Sequence, residues 1–212
     1  MIKIEHEEVY GWEVAIRGMR NPMNSWDKSD SGHKLDYTPS GDKIYPYTIG
    51  ENDLALMRRL AKAGRDHGKF LRMITVTLDI TAPLYWWKEF DTYKVGTVAN
   101  SCSTIHKIHA KKFTMDDFST DKLYQFSIDA LNDLLVILNK ARDLYLETKD
   151  KGYWWQMIQL LPSSYNQRRT IQLNYEVLRN MYESRKNHKL DEWRAFCEWI
   201  EKLPYFTKIV LE

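Results

Sequence analysis

Residues 72–81, RMITVTLDIT, constrain this chain's fold more than any other segment. Ile74, Val76, Leu78 and Ile80 alternate with Thr75, Thr77, Asp79 and Thr81, the period-two pattern of a strand with one buried face. Ala82-Pro83 ends the run, because proline has no N–H for a sheet ladder. A strand carrying four large aliphatics on one face needs a second layer, and the remaining sequence offers helices. Breakers are scarce, with 9 Gly and 6 Pro in 212 residues, so elements should be long. Residues 119–147 read as an amphipathic helix with Leu123, Phe126, Ala130, Leu131, Leu134, Leu138 and Ala141 apolar. Shorter helices are expected over 53–64 (capped by Asn52 or Asp53), 84–95, 153–160 and 189–202, a long one over 165–186, and a second strand over 10–16. The sum is α+β: a small antiparallel or mixed sheet packed by several long helices, in one domain over residues 1–212.

Residues 17–47 form a long polar loop of the kind that covers an active site, with Arg17, Arg20, Asn21, Asn24, Ser25 and Lys28 around a planar Trp26. An ordinary solvated loop and a loop that grips phosphate through Arg20 both fit its composition. Charge excludes more than it suggests. Lys and Arg total 31 against 29 Asp and Glu, so no general field grips nucleic acid and no nucleic-acid partner is expected. No apolar run reaches the length of a membrane span, and the start does not read as a signal peptide. Two cysteines, Cys102 and Cys197, make no disulfide framework, and a reducing cytoplasm is the expected setting. The aromatic content, 8 Trp, 13 Tyr and 7 Phe, suits a core, a subunit interface or a pocket for flat ligands. Of Trp86-Trp87 and of Trp154-Trp155, one ring of each pair is expected in the core and the other at a subunit contact.

Two segments carry candidate chemistry. In Leu161–Trp193, Asn174, Asn180 and Arg185 follow one another at intervals of six and five residues. Taken on one helix they spread over more than one face, so capping and solvation compete with a ligand site. In Asn100–His106, NSCSTIH, a row of small hydroxylated residues suits a phosphate cradle or a plain turn. Cys102 and His106 also stand at i and i+4, the spacing of a metal pair or a Cys–His nucleophile. No fourth ligand lies near, so no metal is expected. Glu89 and Asp91 are possible bases or solvated carboxylates, and Lys107–Lys112 reads as a solvated face.

The carboxy-terminal segment resembles the flavin-dependent thymidylate synthases. Pro162, Asn174, Leu178, Asn180 and Arg185 fall at that family's spacing without a gap, and His67 lies sixteen residues before Pro83 at the end of the strand, as in the family. The resemblance covers about 60–200. It implies a homotetramer with FAD between subunits, with Asn174, Asn180 and His188 near the flavin and His67 and Lys94 lining the site. It also implies that Arg185 contacts the uracil ring, where fixed donors suit a carbonyl gaining electron density. Glu89, Ser101, Cys102, Ser103 and Arg20 would then contact the substrate. The implied reaction moves a one-carbon unit from methylenetetrahydrofolate to deoxyuridylate with flavin hydride, NADPH serving as reductant.

The sequence departs from the family's signature. Thr92-Tyr93-Lys94 stands in place of Arg-His-Arg, Thr97 in place of the first serine, Cys102 in place of the second and Thr104 in place of the later arginine. Glu89, Ile158 and Glu176 replace a Gln and two Arg. Most of the family's anion-binding charge is therefore absent. The readings that follow are a divergent enzyme acting on a pyrimidine nucleotide, a non-catalytic or flavin-free nucleotide-binding paralogue, and an oligomeric interaction protein.

Overall fold

The computed structural model describes residues 2–212. In chain order the elements are β1 (Lys3–Tyr10), α1 (Trp12–Arg20), β2 (Gly32–His33), β3 (Asp36–Tyr37), β4 (Lys43–Ile44), β5 (Tyr47–Thr48) and α2 (Glu51–Lys62). They continue with β6 (Thr75–Pro83), α3 (Leu84–Phe90), β7 (Val98–Ser101), α4 (Gln125–Thr148), α5 (Lys151–Leu160), β8 (Asn166–Asn174), α6 (Tyr175–Arg185) and α7 (Asp191–Lys202). The main sheet is small and antiparallel, with strand order β1-β6-β8-β7. The two-residue strands form separate antiparallel pairs, β2 with β5 and β3 with β4. The α+β class is as the sequence predicts. The residues fall into two compact units, one holding the chain up to His6, Leu78–Thr92 and Ala99–Ile171, the other Glu7–Thr77, Tyr93–Val98 and Gln172–Glu212.

β6 buries Val76, Leu78 and Ile80, with Ile74 buried just ahead of it, and turns its threonines and Asp79 outward, as the alternation requires. In the first unit, α4 and α5 enclose a core of Ile108, Phe113, Phe118, Leu131, Leu135, Leu138, Ala141 and Met157. Thus α4 buries residues at i, i+4, i+7 and i+10, while Phe126 and Ala130, expected inside, are exposed. The helix begins at Gln125 rather than 119, which leaves Leu123 outside it. Trp86 and Trp87 are both buried, against the expectation that one would face a partner. The two rings meet edge to face at 4.9 Å, and Phe90 packs on both at 5.1 and 5.2 Å. A seven-residue helix buried around most of its girth takes in consecutive side chains.

Two further expectations are corrected. Residues 10–16 are not a strand: β1 ends at Tyr10, and Gly11 has φ 90°, where a Cβ would strike the Met73 carbonyl oxygen. From Trp12 the chain is helical, with Ala15, Ile16 and Met19 inside and Val14 outside. Residues 165–186 are not one helix. Gln167, Ile171 and Leu173 are buried while Arg168, Thr170 and Gln172 are exposed, a period of two that makes 166–174 a strand. Helix α6 starts only where the Asn174 side chain accepts from the Val177 N–H at 3.1 Å.

The segment 17–47 is short helical turns and strand pairs pinned by one carboxylate. Asp53 is 0% exposed, and Arg20, 4% exposed, donates to its Oδ1 from Nε at 2.6 Å. Asp53 Oδ2 accepts from the Ser29 and Ser31 hydroxyls at 2.7 Å each and from the Asp30 and Ser31 N–H groups at 3.1 Å each. Arg20 also donates to the carbonyls of Ser25 and Lys28, at 3.1 and 3.0 Å. Asp30 accepts from the first turn of α2 through the Asn52 and Asp53 N–H groups, a favourable place for an anion. Its carboxylate fills the space that a Cβ on Gly50 would need.

Burial alone would push the Asp53 carboxyl up, but hydrogen bonds from Ser31, Ser29 and Arg20 outweigh it and hold the group below its ordinary value. Arg20→Ala leaves this carboxylate buried without its cation and should cost about 3–5 kcal/mol in urea unfolding at pH 7. Because the folded-state value is depressed, the stabilisation is present above the unfolded carboxyl value and fades as pH falls through the folded one. The stability gap between the parent and Asp53→Asn should therefore shrink on acidification below about pH 4; a gap independent of pH would refute this assignment.

Candidate functional site

Helix α6 carries three of the sequence-predicted residues at its beginning, middle and end. Asn174 caps the N-terminus, Asn180 is exposed in the middle, and Arg185 is half-buried in the last turn, a favourable place for a cation. The segment Tyr93–Val98 belongs to the same unit. Gly96 has φ 78°, and a Cβ there would come within 3.1 Å of both the Asn174 amide nitrogen and a Val177 methyl, so only glycine lets this segment approach the helix start. At the other end Tyr93 Oη accepts from Arg185 Nε at 2.9 Å. The segment thus spans α6 from its cap to its last turn.

The Arg185 guanidinium lies over two aromatic faces, 4.9 Å from the Trp193 centroid and 5.6 Å from that of Tyr93. Trp193 is fully buried, and His188 meets it at 6.3 Å. His188 Nδ1 accepts from the Leu190 N–H at 3.2 Å, which places the proton of the neutral ring on Nε2. A guanidinium held between rings keeps its plane fixed, the property needed to present donors to a flat partner. Within the segment, Lys94 is exposed, and the Thr97 hydroxyl is buried without a hydrogen-bond partner among the described residues. A buried hydroxyl of this kind is open to an acceptor from outside the chain. His67 is exposed just ahead of a 3₁₀ turn over Gly68–Met73.

Other predicted residues lie in the first unit. Ser101, Cys102 and Ser103 are exposed at the end of β7. The Cys102 N–H donates to the Arg168 carbonyl at 2.9 Å, and the Cys102 carbonyl accepts from Gln167 Nε2 at 2.7 Å. Ser103 Oγ accepts from the Ile105 and His106 N–H groups, so these two amides close a local turn. Glu89 is half-buried in α3. No group of three or more metal-ligating side chains occurs among the described residues. Arg20 belongs to the buried Asp53 network described above, where its three nitrogens already donate to protein acceptors.

Sequence reasoning missed the side chains that organise both groups. Tyr93 and Trp193 hold Arg185; Tyr93 carries no periodic signal, and Trp193 reads in sequence only as a core position of α7. On β8, Arg168 pairs with Asp79 at 2.6 Å, and the Thr170 hydroxyl donates to the same carboxylate at 2.5 Å. These hydrogen bonds hold the Asp79 carboxyl below its ordinary value. Arg169 lies 4.2 Å over the Trp87 ring and pairs with Asp91 at 2.6 Å. Reading Gln167–Leu173 with period two would have put Arg168 on the outward face and Arg169 on the inward one. Cys197 is buried, and burial first, then Glu201, pushes its thiol up to about 11, which leaves it unreactive.

No protein-family model matches the chain, and no curated protein sequence matches it. Solved structures do. A crystal structure of thymidylate synthase X from Helicobacter pylori with FAD and dUMP aligns over 100% of this chain and 98% of that one, with TM-score 0.67 and 15% identity. A second structure, of the flavin-dependent thymidylate synthase of Helicobacter pylori complexed with FAD and dUMP, covers 99% and 98% at the same TM-score and identity. The chain has the fold of these flavin-dependent thymidylate synthases, end to end.

Proposed function

We propose that this protein is a divergent flavin-dependent enzyme acting on a pyrimidine deoxynucleotide, with one-carbon transfer to C5 of the base. One observation carries the reading: Arg185 is immobilised on Trp193 and Tyr93 at one end of α6, and a segment ending in an unpartnered buried hydroxyl approaches the other end. The fold shared with structures that hold FAD and dUMP supports it.

The residues present fit a bound flavin nucleotide in one specific respect. Thr97 stands where the resembling family has a phosphate-contacting serine, and its hydroxyl lacks a partner among the described residues. Thr97, Lys94, Asn174, Asn180 and His188 would hold FAD, with His67 lining the site. When bound, FAD supplies hydride chemistry that no side chain can. Arg185 would present its donors to a carbonyl of the uracil ring and stabilise charge that develops there. Glu89, Ser101, Cys102 and Ser103 remain candidates for nucleotide contacts. Methylenetetrahydrofolate would supply the carbon and NADPH the electrons. A flavin-free nucleotide-binding role is the second reading, because Tyr93 replaces the histidine of the family's charged signature and uses its hydroxyl on Arg185.

Self-association belongs to this reading. On α4 Phe126, Val136 and Ile137 are exposed, with Tyr124 stacked on Phe126 at 6.1 Å, apolar surface suited to burial between subunits. Light scattering should report a homotetramer, and Val136→Glu with Ile137→Lys should shift it to smaller species; a monomeric parent would oppose the assembly.

Titration with FAD should give a yellow protein, and deoxyuridylate should then raise the unfolding midpoint. Arg185→Ala should weaken deoxyuridylate by about tenfold or more while FAD binding persists. A protein that stays colourless with excess FAD but still binds deoxyuridylate supports the flavin-free reading, and one that binds neither removes both.

A further inference from the structure

The second unit contains a cavity of about 420 Å³ that shares no residue with the Arg185 cluster. Glu13 and Arg17 line it from successive turns of α1, and the rings of Trp26, His33 and Tyr47 line it from the segment that follows. Each ring is fixed. Trp26 Nε1 donates to Asn21 Oδ1 at 2.8 Å, His33 Nδ1 bonds the Tyr45 carbonyl at 2.8 Å, and Tyr47 meets His33 edge to face at 5.3 Å. Arg20 lines the same cavity and is held by the Asp53 network, so this part of the wall is preorganised as well.

The polar groups of the lining divide into spent and available. Ser29 and Ser31 give their hydroxyl protons to Asp53, and Arg20 is committed there too. Glu13 and Arg17 make no ion pair with each other or with any other residue among those described, although both are exposed. The Tyr47 hydroxyl has no hydrogen-bond partner among the described residues. Its proton is held more tightly than usual, first by burial and then by the carboxylates of Asp53 and Glu13, and Glu13 lines the same cavity. The cavity therefore offers fixed aromatic faces, one unpaired acceptor-only group and one unpaired guanidinium. Stacked bases need the first, an N–H-bearing edge needs the second, and a phosphate needs the third.

We propose that this cavity binds a purine nucleoside monophosphate, with guanine preferred over adenine. The guanine edge presents adjacent ring and amino N–H donors that one carboxylate accepts together, whereas adenine offers only its amino group. Arg17 takes the phosphate, and Trp26 and Tyr47 provide the stacking faces. The proposal is independent of the flavin reading.

The test uses the full-length protein, with GMP, AMP, guanosine and inorganic phosphate as probes in calorimetry and in fluorescence. GMP should bind about tenfold more tightly than AMP. Arg17→Ala should weaken both nucleotides about tenfold and leave guanosine unchanged, and Glu13→Gln should abolish the preference for GMP. Both side chains are exposed, so the unfolding midpoints should match the parent's. Trp26→Phe should remove the GMP-dependent quenching, which assigns the signal among the eight tryptophans. Retention of GMP binding in Arg185→Ala separates this cavity from the flavin reading. The proposal fails if GMP does not bind at millimolar concentration, if phosphate competes as well as GMP, if Arg17→Ala and Glu13→Gln leave GMP affinity unchanged, or if Arg185→Ala abolishes it.

Discussion

The carboxylate of Asp53 is the constraint on which the amino-terminal half of the second unit depends. A charge withdrawn wholly from water is tolerated only if the chain brings donors to it. Here the donors come from Arg20, Ser29, Asp30 and Ser31, so a stretch rich in polar residues is fixed at one end to α1 and at the other to α2. Asp30 then occupies the first turn of α2, Gly50 has no room for a side chain, and Ser31 Oγ accepts from the Gly50 N–H at 2.9 Å. The geometry of this segment follows from satisfying one buried anion rather than from burying apolar surface.

That distinction separates what the sequence discloses from what it conceals. β6, α4 and α7 are legible because their buried residues are apolar, Glu192 of α7 apart, and keep one period. β8 is not, because its inward-facing set mixes Gln167 with Ile171 and Leu173, and the buried amide is satisfied by the distant Cys102 carbonyl and by Arg169 Nε. The start of helix α1 is hidden by a short accidental alternation over residues 10–16, and Gly11, with its positive φ, is what separates β1 from the helix. A hub carboxylate such as Asp53 leaves no periodic trace at all. Its role is visible only when residues twenty or more positions away are seen to converge on it.

The candidate site shows the same limit. The spacing of Asn174, Asn180 and Arg185 is legible in the sequence, but its meaning changes once 166–174 is a strand. On a helix that begins at residue 175, Asn174 is a cap whose oxygen is engaged by the Val177 N–H. Arg185 is turned onto Trp193 and Tyr93, while Asn180, about 140° around the helix from it, remains exposed. The residues that give Arg185 its orientation are aromatic and lie in separate stretches of chain, so no local motif contains them.

Distance along α6 adds a final restriction. The eleven residues from Asn174 to Arg185 rise roughly 16 Å, longer than a uracil ring and its ribose. On the proposed reading, a base polarised by Arg185 would not itself reach the cap, and the two ends of the helix would serve different groups. The aromatic and cationic end suits a flat ring with a carbonyl. The cap end, with the unpartnered Thr97 hydroxyl in the segment that approaches it, suits an anionic or hydrogen-bonding group of a second, longer molecule. The proposed nucleotide substrate and dinucleotide cofactor would together meet that division, the second reaching the Thr97 hydroxyl that the first would leave unsatisfied.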